Sequence, residues 1–261
     1  MNIFITGGTS GIGLGLATRY LDQGHRVGVC GRSAQKFQQN VSAEYRNKIH
    51  FYEVDILKLD QLKNAVKEFC RNDRLDLMIA NAGISSANKS SIPNFDKSRE
   101  VININVIGLI NTFEVALEFM NSKFDGSWDF SGRQFVAISS VAGLNGLPGT
   151  SAYSASKAAV LKLCESYAID LRKYNLYVTS IGPGFIKTPL TDQNKHPMPF
   201  LMDTKTAAHL IIKAINKKKE IYFFPWPMSL IVKFLYHLPR PFYVKMMRFL
   251  RTLFEMKKKI N

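Results

Sequence analysis

Apolar residues along this chain gather into short runs with helix-length stretches between them. Strand-like runs fall at residues 3–5, 27–30, 50–54, 75–80, 135–138, 177–181 and 221–224. After the first run, Ile12, Leu16, Ala17, Tyr20 and Leu21 recur at helical spacing until Gly24 supplies a stop. This alternation predicts an α/β fold, a doubly wound parallel sheet of about seven strands with helices on both faces. The polar stretch from Asn121 to Gly132 reads as a surface loop before the fifth strand. No internal repeat and no Pro/Ser-rich linker appears, so residues 1–225 are expected to form one domain, followed by a basic amphipathic helical extension at 226–261.

At 261 residues and 46% apolar content the chain can bury a sizeable core. Cys30, Cys70 and Cys164 lie in apolar or helical surroundings without metal-ligand spacing. They read as buried free thiols of a reducing compartment, and no metal site is expected. The first strand-like run starts at once, which leaves no room for a cleavable signal. A cytoplasmic protein is expected, peripheral on a membrane if the tail attaches it there.

Three groups of residues carry chemistry. The turn Thr6-Gly7-Gly8-Thr9-Ser10-Gly11-Ile12-Gly13 stands between the first strand and the first helix. That order lets backbone N–H groups at a helix N-terminus face a pyrophosphate, and missing side chains allow close approach. A tight turn with no ligand has the same local composition. Tyr153 and Lys157 are four apart in a small-residue stretch that reads as helix, so they share a face. An ammonium near a phenol favours the phenolate, making Tyr153 usable as an acid or base near neutral pH. Alone, the pair equally fits an ordinary amphipathic helix. Ser139 and Ser140 end the strand-like run from Arg133 to Ile138, where open parallel sheets place their ligands.

With these groups together, the chain resembles the short-chain dehydrogenase/reductase family from Met1 to about Pro225. The resemblance implies a Rossmann-like fold and a nicotinamide cofactor held by Thr6, Gly7, Gly8, Thr9, Ser10, Gly11, Ile12 and Gly13. Asn81-Ala82-Gly83 matches the segment expected to support the central sheet and the adenine side. Pro183, Gly184, Ile186 and Thr188 fall where the family holds the nicotinamide carboxamide. The implied catalytic residues are Asn105, Ser140, Tyr153 and Lys157. Ser140 is chosen over Ser139 because the family's serine stands thirteen residues before its tyrosine. By resemblance, Tyr153 supplies a proton to the reacting oxygen and Ser140 orients that oxygen. Lys157 lowers the tyrosine pKa and bonds the nicotinamide ribose, and Asn105 holds a water that links Lys157 to solvent.

Cofactor choice is read after the second strand. Gly31 stands where an NAD enzyme carries Asp or Glu, and Arg32 and Ser33 follow. A guanidinium there suits a 2′-phosphate, so NADP(H) is favoured over NAD(H); stacking of Arg32 on adenine is the other reading. Asp55, with Ile56 beside it, matches the family's adenine-contacting acid, or else serves as a cap before Leu57.

Between Thr188 and Ala207, where the family keeps a lid, His196-Pro197-Met198-Pro199-Phe200-Leu201-Met202 is apolar and bounded by prolines. It suggests a hydrophobic carbonyl or alcohol substrate, unless these side chains pack on the tail. His196 reads as a lid surface residue rather than a catalyst. The tail departs from compact family members, which end soon after the last strand. Met228 to Leu238 and Pro241 to Met256 mix large apolar residues with Lys and Arg, and neither reaches the roughly 20 uncharged residues of a membrane span. From Lys217 to Asn261, eleven Lys or Arg stand against Glu220 and Glu255, which is nine of the formal +15 charges. Such helices lie on an anionic bilayer, or pack on the domain or a second subunit with their cations solvated. Nucleic acid is a poorer partner, for no groove-reading motif is evident.

A homodimer through Asn105 to Met120 and Tyr153 to Lys173 follows the family habit. The expected function is an NADP(H)-dependent carbonyl reductase or alcohol dehydrogenase on a lipophilic substrate. The alternatives are a 3-oxoacyl thioester reductase and a non-catalytic NADP(H)-binding sensor or scaffold.

Overall fold

Seven parallel strands form the centre of the computed structural model, which describes residues 1–71, 73–85, 92–123, 125–192 and 197–260, with side chains to Leu253. They are β1 (Asn2–Thr6), β2 (Arg26–Gly31), β3 (His50–Glu53), β4 (Leu77–Ala80), β5 (Gln134–Ile138), β6 (Tyr177–Pro183) and β7 (Ile221–Phe224). Their order is β3-β2-β1-β4-β5-β6-β7, so the chain direction of winding reverses between β1 and β4. In register, Thr6 lies opposite both Cys30 and Ala80, which brings the C-terminal ends of three strands level. The predicted sheet, with its helices on both faces, is therefore the observed one.

Alternate side chains of each central strand enter different layers. Phe4 joins Leu62, Val66, Phe69, Phe113, Phe135 and Val160 on one face. Ile3 and Ile5 join Leu16, Val29, Ile211 and Phe224 on the other. The first layer is covered by α4 (Leu59–Cys70), α6 (Gly108–Met120) and α7 (Ser151–Asp170), and the second by α1 (Gly11–Asp22) and α8 (Thr204–Asn216). Two short helices, α2 (Ala34–Asn40) and α3 (Ala43–Arg46), join β2 to β3, and α5 (Phe95–Ile102) precedes α6. A π-turn, Asn103–Ile107, joins α5 to α6. The combined helix Phe95–Met120 is long and apolar enough to cross a membrane, but half of it is buried in this core.

Cys30, Cys70 and Cys164 are buried free thiols, as expected, and burial pushes each up to about 12. The loop before β5 is not wholly at the surface, because Phe130 is buried among the first layer and its N–H bonds Tyr174 O. Polar composition around one aromatic hid that anchor. The C-terminal segment forms α9 (Trp226–His237) and α10 (Arg240–Ile260).

Candidate active site

The reversal of strand order opens a cleft of ≈ 450 Å³ beyond the ends of the central strands. The β1–α1 turn forms one wall. Gly7 and Gly11 both adopt left-handed backbone, φ +67° and +53°, and a Cβ on Gly7 would come within 2.7 Å of Ala82 Cα. The N–H groups of Gly7 and Gly8 bond Cys30 O at 2.9 and 3.2 Å, pinning the turn to β2. Ser10 stands at the N-cap of α1 without capping it, and no acid occupies the first turn. That helix end therefore presents open N–H donors and positive dipole to the cleft, which suits an anionic group.

Gly7, Thr9, Ser10, Gly11 and Ile12 line the cleft, as do Asn81, Ala82 and Gly83. Thr6, Gly8 and Gly13 stand just behind that lining. Thr6 is buried, and its hydroxyl accepts from the N–H groups of Asn81 and Ala82 at 3.1 and 3.2 Å. Asn81 Nδ2 returns bonds to Thr6 O and Gly7 O at 3.1 and 2.9 Å. A Cβ on Gly8 would collide with Val29, and one on Gly13 with Gly7 O. These three residues shape the wall from behind it.

On the opposite side, the end of β5 meets α7. Ser139 and Ser140 point different ways, as adjacent residues leaving a strand do. Ser139 Oγ donates to Lys157 O at 2.8 Å, whereas Ser140 is hydrogen-bonded to Tyr153 and accepts from Ala142 N at 3.1 Å. Ser140 is thus the serine that reaches the tyrosine. Ser140, Tyr153 and Lys157 all line the cleft. Lys157 Nζ donates to Ile138 O at 2.8 Å and lies 5.8 Å from the Tyr153 ring centroid.

Burial controls the titration of this pair. It lowers Lys157 to about 8 and raises Tyr153, with the Ser140 hydrogen bond pulling the phenol back down. The phenol thus lies above its ordinary value, where the resemblance implied one lowered by Lys157. Desolvation penalises phenolate and ammonium alike.

Asn105 lies behind the wall, buried in the π-turn. Its Oδ1 accepts from Ile84 N at 2.8 Å, and Nδ2 donates to Ile84 O and Ser156 Oγ, both at 2.9 Å. Ser156 Oγ in turn donates to Tyr153 O at 2.7 Å. Both amide donors are committed, which makes this side chain a brace between the β4 loop and the tyrosine turn of α7.

At the far end, Gly31, Arg32, Ser33, Asp55 and Ile56 line the cleft. A Cβ on Gly31 would meet Thr9 Cγ2 at 2.8 Å, which explains glycine there in local terms. Ser33 Oγ accepts from Lys36 N at 3.2 Å, and Asp55 Oδ1 accepts from Leu57 N at 3.0 Å. Both of these side chains fix their own loops as well as facing the cleft. Lys36, at the start of α2, also lines it and escaped the sequence reading, for nothing in its local sequence separates it from a solvated lysine. Ile84, Ile104, Pro189, Leu190 and Thr191 are further lining residues of this kind.

Pro183, Gly184, Ile186 and Thr188 follow β6 and close the remaining side. A Cβ on Gly11 would touch Thr188 Cγ2 at 3.1 Å, so this segment approaches the glycine turn across the cleft. Thr191 Oγ1 donates to Ile186 O at 2.6 Å and holds the segment's bend. His196 lies outside the described residues. Among the described residues no group of three or more His, Cys, Asp or Glu is gathered for a metal.

A sequence model described as short chain dehydrogenase matches residues 1–198. An uncharacterized oxidoreductase of Myxococcus xanthus is 34% identical over 250 residues, covering 95% of this chain and 96% of that protein. The 3-oxoacyl-[acyl-carrier-protein] reductase FabG of Thermotoga maritima is 30% identical over 72% of this chain and 75% of its own. Among solved structures, ElxO with NADP bound is 26% identical, with a TM-score of 0.73 over 85% of this chain and 95% of that one. The chain belongs to the short-chain dehydrogenase family, and it is an oxidoreductase of that family. The Myxococcus alignment runs well past Pro225, so the C-terminal segment is not peculiar to this chain.

Proposed function

We propose that the protein is an NADP(H)-dependent oxidoreductase that moves hydride between nicotinamide and the carbonyl or alcohol of a lipophilic substrate. The observation that carries this is the hydrogen-bonded Ser140–Tyr153 pair beside buried Lys157, on the cleft that also receives the uncapped end of α1. The turn's backbone donors and the close approach at Gly7 and Gly11 fit a dinucleotide, with the pyrophosphate at the helix end. The phosphate-bearing form is supported by two cations, Arg32 and Lys36, after the end of β2, where Gly31 stands in place of an acid. The NADP in ElxO is consistent with this.

When bound, the nicotinamide supplies or takes the hydride. In the reducing direction the substrate oxygen gains negative charge and needs a donor within hydrogen-bond reach. Tyr153 gives its proton to that oxygen, while Ser140 bonds it and fixes its position. Lys157 carries its charge at neutral pH and steadies the phenolate left behind. Asn105 is a positioning residue, acting through Ser156 on the backbone of Tyr153.

A lipophilic substrate is supported by Leu190 on the cleft wall and by Phe200 and Leu201, which stand 48% and 46% exposed in the following segment. The likeness to a 3-oxoacyl reductase favours a second reading, a 3-oxoacyl thioester substrate. The same proposal takes the enzyme as cytoplasmic and homodimeric through the α5–α7 region, where Ile102, Ile107 and Ile169 are exposed.

The test is NADPH oxidation by purified protein with ketones, aldehydes and 3-oxoacyl thioesters of graded chain length, with NADH and Tyr153→Phe as controls. Turnover rising with apolar size, preferring NADPH, and falling about 100-fold or more in Tyr153→Phe is expected. A strong preference for the thioesters selects the second reading. Tight NADPH binding with no turnover on any substrate refutes the catalytic proposal.

A further inference from the structure

The C-terminal helices are anchored on one side and unpartnered on the other. Asn145 Nδ2 donates to Val232 O at 3.0 Å, Arg240 Nη1 donates to Asn145 Oδ1 at 3.1 Å, and Tyr243 OH donates to Gly146 O at 2.8 Å. Met228, Ser229 and Tyr243 are buried by this docking. Away from it, Trp226, Leu230 and Phe234 follow each other at i, i+4 spacing on α9 and are 76%, 67% and 67% exposed. On α10, Phe242, Phe249 and Leu253 form a second exposed stripe, 57%, 64% and 37%. Lys245 flanks this stripe, three residues after Phe242 and four before Phe249, and Arg248 lies further round the helix on the same flank.

We infer that α9 and α10 dock on an anionic lipid bilayer, with these apolar side chains inserted at the interface and the cations against lipid phosphates. Aromatic and aliphatic groups at this exposure are too many to be scattered surface residues. The charge selects the occupant. Lys217 to Asn261 carries eleven Lys or Arg against two Glu, so a second copy would set like charges face to face, while an anionic surface meets them with opposite sign. The helices lie on the bilayer rather than span it. α9 has 12 residues, and Arg240, Lys245, Arg248 and Arg251 interrupt α10.

Through its buried side, α9 adjoins the cleft. A Cβ on Gly184 of the cleft wall would be 3.4 Å from Met228 Cγ of α9, and the anchoring loop at Asn145 and Gly146 runs between Ser140 and Tyr153. A bilayer-dissolved substrate would thus meet the enzyme beside its site. The docking itself does not depend on the reading of that site.

Trp226 and Trp128 are the two tryptophans, which makes the test direct. The full chain carrying Trp128→Phe is mixed with vesicles of phosphatidylcholine alone or with added phosphatidylglycerol, and both sedimentation and Trp226 emission are followed. Partition about tenfold or more stronger with phosphatidylglycerol, with a blue shift of Trp226, is expected. Adding Phe234→Glu and Phe249→Glu should abolish both signals, and Lys245→Glu with Arg248→Glu should remove the preference for phosphatidylglycerol, each with an unchanged circular dichroism spectrum. The proposal fails if partition is equally low on both vesicles, or if binding survives the two apolar-face substitutions. It also fails if Trp226 is shielded without lipid in a concentration-dependent manner, which assigns the face to a second copy.

Discussion

Replacing Lys157 by Met should change the pH dependence of folding stability in a way that isolates one buried charge. Lys157 is 6% exposed, its ammonium donates to Ile138 O, and burial lowers its pKa from 10.5 to about 8. Below about pH 8 the folded and unfolded chains both hold the proton, and the folded state bears the desolvation cost. Between about 8 and 10.5 the unfolded chain binds a proton that the folded chain has released, so this group makes stability rise with pH. Two to three units at roughly 1.4 kcal/mol each give about 3 kcal/mol. The absolute profile mixes this with opposite contributions. Cys30, Cys70 and Cys164 are raised to about 12 and keep protons that the unfolded chain loses, so stability falls through them from about pH 9 upward.

The difference between wild type and Lys157→Met cancels those thiols. The variant also leaves Ile138 O without its donor, a cost of about 1–3 kcal/mol that does not vary with pH. Urea unfolding of the cofactor-free proteins from pH 7 to 10.5 should therefore show wild type gaining about 3 kcal/mol on the variant across the range. Parallel profiles, or a gain by the variant, would refute the claim that Lys157 holds its charge against burial.

Two further changes test the ends of the cleft. Arg32→Ala and Lys36→Ala should each raise the KM for NADPH about tenfold while leaving that for NADH nearly unchanged, as screened cation–phosphate contacts would; equal effects on both cofactors would place these cations elsewhere in binding. Thr6→Val should destabilise the protein by about 2 kcal/mol in thermal or urea melts, because the N–H groups of Asn81 and Ala82 lose their acceptor in a buried setting. An unchanged melt would mean that the turn is held by other bonds.

The strands were legible because a sheet covered on both faces needs apolar residues at successive positions, and Ile3-Phe4-Ile5 and Leu77-Met78-Ile79 supply them. Their ends were less so. The run at 75–80 begins two residues before β4, since Leu75 N–H turns aside to Phe119 O. The π-turn at Asn103–Ile107 left no mark in the periodicity, because one widened turn within a long helix shifts the apolar face only locally. Lys36 was hidden for a different reason. A lysine on a short exposed helix reads like any solvated lysine until the fold brings it beside Arg32. The docking of the tail was equally hidden, since Asn145 meets Val232 and Arg240 across 87 and 95 residues of chain.

What the motif could not convey was the division of labour within it. Ser139 and Ser140 are adjacent, yet one holds the backbone of Lys157 and the other reaches Tyr153. A slip of one residue at the end of β5 would exchange them, so the spacing to Tyr153 separates the two where composition does not. The same division runs through the glycine turn, where Gly7 and Gly11 face the cleft while Gly8 and Gly13 let β2 and the turn itself close behind it. Asn105 and Thr6 are its polar counterparts, each spending its hydrogen bonds on the loops that carry lining residues. Substituting a residue behind the wall should therefore cost stability first and turnover through displaced neighbours, whereas Tyr153→Phe should cost turnover while the melt stays nearly unchanged. Comparing the two readouts for Thr6→Val and Tyr153→Phe separates these roles without reference to any relative.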